Sequence, residues 1–292
     1  MNDSGKVEPP AAHAEGQNLR GSLLADRLIV LLSHERSGSH YVADLLRSTG
    51  ALTSVDEVCN FNAVDPAKSK YSYYRFRYEH AVQDTDFALH PDGARLDAFL
   101  DRYFELLLSA GHSKQVLVDI KYGHVHNFEI GWWPSEQRPF LAKYLEKRHI
   151  RVVHLSRRDS LAATLSSYIA EHTGIWHRRE GDGAGKKIRK LKAPAQKIVH
   201  DALALEREKD NFFSWLATNR CVHVTYEECT GDVSGPATLA AICRFLDLPE
   251  AELVSAHRKV TPALKDVIDN CEELRRTAAL FGQGRLLPQL LK

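Results

Sequence analysis

The sequence predicts an α/β fold in which a parallel sheet is flanked by helices. Apolar runs of strand length recur along the chain, and amphipathic helical segments separate them. This alternation is typical of parallel strands that are joined by right-handed helical crossovers. The chain has 292 residues, of which 43% are hydrophobic, enough to bury the core of one large domain. We therefore expect a single domain at 26–292 behind a disordered polar tail at 1–25.

The first predicted strand–loop–helix unit spans 27–50. Residues 28–32 form an unbroken apolar run, as expected for a strand that is covered on both faces. Small polar residues and one arginine follow, and apolar side chains then recur at helical spacing, at Tyr41, Val42, Leu45 and Leu46. A loop that opens a helix directs several backbone N–H groups and the positive end of the helix dipole at one point. The loop is therefore predicted to bind an anion.

The remaining elements follow in order along the chain. Further strands are predicted at 52–55, 116–120, 151–155 and 221–225. Helices are predicted at 97–109, 136–148, from Asp159 or Ser160 onward, at 197–219 and at 236–246. The stretch 60–93 is polar and rich in tyrosine and arginine, and we expect it to be a variable region.

Polar side chains follow four of the predicted strands. In order, they are Arg36 to Ser39, then Asp56 and Glu57, then Lys121, His124 and His126, and finally Arg157 and Arg158. Because ligands of open parallel sheets bind at the carboxyl ends of the strands, these side chains are predicted to form one site. The site would combine cations, a carboxylate and imidazoles.

The first loop, Arg36-Ser37-Gly38-Ser39-His40-Tyr41, lacks the two glycines and the Lys-Ser/Thr of the nucleoside-triphosphatase loop. It resembles the 5′-phosphosulfate loop of sulfotransferases that use 3′-phosphoadenosine-5′-phosphosulfate (PAPS). The unit at 151–171 is similar to the segment that holds the donor's 3′-phosphate in that family, and Arg158 and Ser166 match its Arg and Ser. The resemblance covers roughly 27–248, where a later strand ends in Tyr226-Glu227. By motif, the nearest relatives are bacterial carbohydrate sulfotransferases of the trehalose-glycolipid and Nod-factor types.

The resemblance implies roles for particular residues. The cofactor-binding set it implies is Arg36, Ser37, Gly38, Ser39, His40 and Tyr41 at the 5′ end, with Arg158 and Ser166 at the 3′ end. Arg157, one place out of register, would add charge. Lys121 would touch the bridging oxygen or the sulfuryl group, and Arg36 would hold the leaving oxygen. These contacts would stabilise the charge that develops during in-line transfer.

The resemblance also implies a general base for the acceptor hydroxyl. Glu57 is the first candidate, because it stands in a Glu-x-x-Asn-Phe context similar to that of the bacterial carbohydrate enzymes, and burial is expected to raise its pKa toward neutrality. His124 is the second candidate and His126 the third. No metal is expected, since the donor carries no polyphosphate and no acidic motif stands beside the loop.

The amino-acid composition limits the classes of partner that the protein can bind. The 39 basic and 38 acidic residues give a net charge of +1, which excludes a global polyanion-binding surface and argues against a nucleic-acid partner. The five cysteines lack metal-ligand spacing, which suggests reduced thiols, and no apolar stretch has membrane length. Taken together with the resemblance, these features imply a cytoplasmic bacterial enzyme with a small-molecule or glycan acceptor. A P-loop kinase-like nucleotide enzyme and a non-catalytic nucleotide-binding module remain alternatives.

Three weaker features are also predicted to lie near ligands. Trp132 and Trp133 are candidates for stacking on a sugar, the basic stretch 177–192 for a lid, and the loop at 282–285 for a contact with the 3′-phosphate.

Overall fold

The computed structural model describes residues 22–60, 70–85, 87, 93–112, 114–129, 137–176, 190–249, 253 and 264–281. Residues 22–27 are helical, and Leu24 is fully buried in the core. The predicted tail therefore extends too far at its end, since 22–25 belong to the folded body. Positions 1–21 lie outside the described residues, as do Trp132 and Trp133, the basic segment at 177–189 and the loop at 282–285.

Five parallel strands form the sheet, in the order β2-β3-β1-β4-β5. The strands are β1 (Leu28–Ser33), β2 (Leu52–Glu57), β3 (Gln115–Lys121), β4 (Arg151–Ser156) and β5 (Cys221–Thr225). Each contains one of the predicted apolar runs. The predicted α/β architecture, a parallel sheet flanked by helices, is confirmed. Because β1 is the central strand, the loop that follows it lies between the ends of β3 and β4.

Apart from the helical residues 22–27, the helices lie between and after the strands. They are α1 (Ser39–Ser48), α2 (Tyr73–Gln83), α3 (Gly93–Leu108), α4 (Phe140–Lys147), α5 (Ser160–Thr173), α6 (Ala195–Trp215), α7 (Tyr226–Thr230), α8 (Ser234–Phe245), α9 (Leu264–Val267) and α10 (Cys271–Phe281). Short 3-10 helices occupy Ser109–Gly111 and Tyr122–Phe128. Among the helices of the described residues, none has both the length and the apolar content needed to span a bilayer.

Helix α2 was not assigned from the sequence. Its arginines and tyrosines carry no continuous apolar stripe, and Tyr73 is its only buried residue. Local interactions and aromatic packing define it instead. Ser72 caps its first turn by accepting a hydrogen bond from the backbone of Arg75, and the Tyr73 ring packs against Phe99 and Phe128.

The core occupies both faces of the sheet. Leu28, Val30 and Leu32 of β1 pack on one face with α3 and α4. Ile29 and Leu31, which alternate with them, pack on the other face with α1 and α8. This two-sided burial explains why the strand is apolar throughout. It also leaves only the strand ends available for polar chemistry.

Candidate functional site

The loop between β1 and α1 has a backbone that requires glycine at one point. Gly38 has a φ of 86°, and a Cβ placed there would lie 2.5 Å from Cδ2 of Tyr226. Gly38 is also the N-cap of α1, and no side chain caps that helix end. Backbone N–H groups of the first turn are therefore left for another acceptor, as in an anion-binding loop.

Arg36 joins the two segments that the sequence singled out. Its Nε donates a hydrogen bond to Ser166 Oγ at 3.0 Å, across 130 positions, and its Nη1 donates to the carbonyl of Trp176. Its backbone adopts a positive φ of 62°, which is uncommon for a residue with a side chain. Burial and the nearby charge of Arg157 lower the pKa of Arg36 from its ordinary value. The first loop and α5 thus contribute to one site.

The two consecutive arginines after β4 have different surroundings. The guanidinium carbon of Arg157 lies 5.3 Å from the centre of the Tyr226 ring, which also covers Gly38. Arg158 instead donates to Glu228 Oε1 at 2.6 Å, and 61% of its side chain is exposed. The structure therefore places Arg157, rather than Arg158, beside the first loop. The sequence analysis chose Arg158 because it stands eight positions before Ser166. That spacing does not show which of the two arginine side chains faces the loop.

Lys121, at the end of β3, is the centre of a buried polar cluster. Its Nζ donates to Ser33 Oγ at 3.1 Å and to Ser39 Oγ at 2.5 Å. It also donates to both oxygens of Asp119, at 2.9 and 2.7 Å. Burial alone would lower the pKa of Lys121, but the charges of Asp119 and Glu57 outweigh that effect and raise it. The predicted contact of Lys121 with the bridging oxygen or the sulfuryl group would require one of these hydrogen bonds to break.

Glu57, the last residue of β2, faces His40 and Lys121 and not an apolar wall. Its Oε1 lies 3.3 Å from His40 Nε2 and 3.4 Å from Lys121 Nζ, and its Oε2 accepts from Asn60 Nδ2 at 3.1 Å. Burial acts to raise its pKa, but the hydrogen bond with His40 and the charge of Lys121 together lower it to about 2. The expectation of a raised pKa was therefore wrong, because these two neighbours come from other elements of the chain.

The other predicted residues lie on elements that adjoin those of this cluster. His124 and His126 are partly buried on the 3-10 helix that follows β3, and burial lowers the pKa of His126. Tyr41 packs against the apolar side chains between α1 and α8. Its burial raises the pKa of its hydroxyl. Tyr41 therefore supports the helix that carries the loop.

Three side chains of the described residues meet the distance requirement for a cation site. Ligand atoms of His40, Glu57 and Asp119 lie within 4.8 Å of one another. The ammonium group of Lys121 is bonded to both oxygens of Asp119 and lies 3.4 Å from Glu57, so it already compensates their charge. The donor set alone therefore does not indicate a metal.

His34 is a site residue that the sequence analysis missed. Its Nε2 accepts a hydrogen bond from the backbone N–H of Arg157 at 3.0 Å, and its Nδ1 lies 2.7 Å from the carbonyl of Glu35. Burial lowers its pKa to about 3, so the ring is neutral and these partners assign the proton to Nδ1. It fastens the first loop to the end of β4. The sequence feature that could have identified His34 is its position as a polar residue directly after a buried strand.

Two buried polar atoms at the loop fit an anionic ligand. Ser37 Oγ and Arg157 Nε have no hydrogen-bond partner among the described atoms. Both can donate, and buried donors are rarely left without an acceptor. Phosphate or sulfate groups would supply acceptors for these two atoms and for the first turn of α1. The residues present therefore fit a phosphorylated ligand.

No family model matches the sequence, and no curated protein matches it. A sulfotransferase from Alicyclobacillus acidocaldarius aligns with 88% of this chain and 93% of its own, at 10% identity and a TM-score of 0.46. The sulfotransferase domain from the curacin biosynthetic pathway aligns with 77% of this chain and 75% of its own, at 16% identity and a TM-score of 0.39.

Retinol dehydratase, in a complex with retinol and PAP, is a third similar structure. It aligns with 77% of this chain, at 13% identity and a TM-score of 0.37, and the chain covers 61% of its length. Every TM-score is below 0.5, so these similarities do not assign the chain to a family.

Proposed function

We propose that this protein transfers a sulfuryl group from PAPS to a hydroxyl group of a carbohydrate or glycolipid acceptor. The observation that carries the proposal is the hydrogen bond between Arg36 Nε and Ser166 Oγ, at 3.0 Å. It joins the loop that resembles the 5′-phosphosulfate motif to the helix that resembles the 3′-phosphate motif. A single ligand with a phosphate at each end of a nucleoside would use both segments.

In this proposal the first loop binds the 5′ end of the sulfuryl donor. The uncapped N-terminus of α1 and the buried hydroxyl of Ser37 provide donors, and Arg36 provides positive charge. Fixed donors of this kind stabilise the charge that builds on the departing phosphate oxygen. Arg157 and Ser166 bind the 3′-phosphate, with Arg157 in the role that the sequence spacing assigned to Arg158.

Glu57 accepts the proton of the acceptor hydroxyl in this proposal. Its low pKa keeps it ionised at neutral pH, so it is always available as a hydrogen-bond acceptor. A weak base suffices, because an alcohol oxygen becomes strongly acidic as its bond to sulfur forms. Proton transfer then accompanies or follows bond formation in a loose transition state. His40 and Lys121 orient the carboxylate, at 3.3 and 3.4 Å.

Transfer of labelled sulfate from PAPS to a panel of glycans and glycolipids tests the proposal. We expect the parent protein to label at least one acceptor and the Glu57→Gln variant to label none, while still binding 3′,5′-adenosine bisphosphate. Glu272→Gln, on the exposed face of α10, is the matched control and should retain full activity. Absence of transfer by the parent protein would favour a non-catalytic module, and full activity of Glu57→Gln would move the base to His124.

A further inference from the structure

Asp119 is a buried carboxylate to which the proposed reaction gives no role. It lies on β3 two residues before Lys121, so both side chains point to the face of the sheet that α1 covers. Its side chain is 3% exposed, and both of its oxygens accept hydrogen bonds from Lys121 Nζ. A carboxylate that binds a cation in this way neutralises it locally.

The remaining donors of Lys121 are also engaged. An ammonium group has three N–H donors, and those of Lys121 are directed at Asp119, Ser33 and Ser39. Ser39 is the first residue of α1, so its hydrogen bond with Lys121 links the end of β3 to the start of that helix. Contact with a bound anion would require Lys121 to give up one of these partners.

The register of the sheet explains why a cation is required at this position. Glu57 of β2 stands directly opposite Asp119 of β3. Like charges on neighbouring strands repel each other, and Lys121 Nζ lies within 3.4 Å of both carboxylates. His40, from α1, contacts Glu57 as well. The charge of Glu35, in the loop, also raises the pKa of Lys121. The positive charge of Lys121 is thus used within the cluster.

We propose that Asp119 is a positioning residue that keeps the charge of Lys121 inside this cluster. Lys121 then supports the loop through Ser39 and holds Glu57, but does not itself bind the sulfuryl donor. The inference rests on the proposed function, in which Arg36, Arg157 and the N-terminus of α1 make the anion contacts. It departs from the sequence-based expectation that Lys121 touches the reacting group.

Titration with 3′,5′-adenosine bisphosphate by calorimetry tests this inference. Lys121→Gln leaves an uncompensated carboxylate and should weaken binding about fivefold, whereas Asp119→Asn releases a positive charge and should tighten binding about fivefold. The double variant Asp119→Asn/Lys121→Gln removes both charges and should bind within about twofold of the parent protein. Asp101→Asn, which breaks the pair with Arg148 between α3 and α4, is the matched control and should not change binding.

The double variant gives the decisive comparison. If it loses as much affinity as Lys121→Gln, then Lys121 contacts the ligand and the inference is overturned. This comparison does not need Asp119→Asn, so it holds even where that variant fails to fold.

Thermal unfolding without ligand separates the inference from the proposed function. Lys121→Gln should lower the melting temperature by about 5–10 °C, and the double variant should melt above it, because removing one partner of a buried pair costs more than removing both. If the parent protein does not bind the bisphosphate, the proposed function fails, and this comparison still decides whether the two charges neutralise each other. A double variant that melts no higher than Lys121→Gln would overturn the inference.

Discussion

Gly38 occupies the most restricted position of the loop between β1 and α1. Its positive φ is strained for any residue with a side chain, and the Tyr226 ring occupies the space that a Cβ would need. The ring of Tyr226 also lies against Arg157. A change at this one residue would therefore disturb the loop and its neighbours from β4 and β5 together.

Gly38→Ala should lower the free energy of unfolding by about 1–3 kcal/mol and weaken the binding of 3′,5′-adenosine bisphosphate. Gly50→Ala is the matched control, because Gly50 also has a positive φ, 73°, but has no atom within 4 Å of the added Cβ. It should cost about 1 kcal/mol and leave binding unchanged. Denaturant unfolding and calorimetry measure both effects. Equal losses in the two variants would show that Tyr226 does not restrict the loop.

The charge of Glu57 makes stability depend on pH in a defined range. Its pKa in the folded protein is about 2, below the ordinary value of 4.5, so the folded state holds the carboxylate charged. This stabilisation is complete above pH 4.5 and is lost as the pH falls toward 2. We therefore expect the stability difference between the parent protein and Glu57→Gln to shrink as the pH is lowered through this range. Denaturant unfolding between pH 2.5 and 7 measures it, and a constant difference would contradict the assignment.

At the scale of elements, buried imidazoles connect the central strands to their neighbours. His34 joins the first loop to β4 through the backbone of Arg157. His154 of β4 lies 2.7 Å from His223 of β5, between their Nδ1 atoms, and its Nε2 contacts the hydroxyl of Tyr122. Burial lowers the pKa of both His34 and His154 to about 3. Both rings are therefore neutral near pH 7.

Stability should fall as the pH is lowered from 6.5 toward 3, because the unfolded chain protonates these histidines while the folded protein does not. Each contributes a slope of up to about 1.4 kcal/mol per pH unit in that range. His34→Gln and His154→Gln should each reduce the slope. An unaltered slope in both variants would refute the neutral assignment.

The two consecutive arginines after β4 provide a second comparison. Arg157→Ala should weaken the binding of 3′,5′-adenosine bisphosphate by about 10- to 100-fold, since a contact with a charged group is lost. Arg158→Ala should weaken it by less than about threefold, because its exposed side chain pairs with Glu228. Calorimetry of the two neighbouring variants decides between them. The reverse order would restore the role of Arg158 that the sequence spacing indicated.

At the scale of the whole molecule, periodicity predicted the parallel sheet, its five strands and the edge at which polar residues collect. The apolar run of β1 was informative because both faces of that strand are covered. Which of Arg157 and Arg158 lies beside the first loop was not predictable in this way, because it depends on Tyr226 and Glu228, about 70 residues later. The low pKa of Glu57 likewise depends on His40 and Lys121, which only the fold brings beside it.

In the proposed function, the loop after β1 and the segment after β4 bind one nucleotide with two separate phosphates. Calorimetric titration with 3′,5′-adenosine bisphosphate, and with ATP and magnesium for comparison, measures this binding. We expect saturable one-to-one binding of the bisphosphate that weakens in both Arg36→Ala and Arg157→Ala, with no binding of ATP. Binding of ATP with magnesium in preference to the bisphosphate, or bisphosphate binding that neither variant weakens, would contradict it.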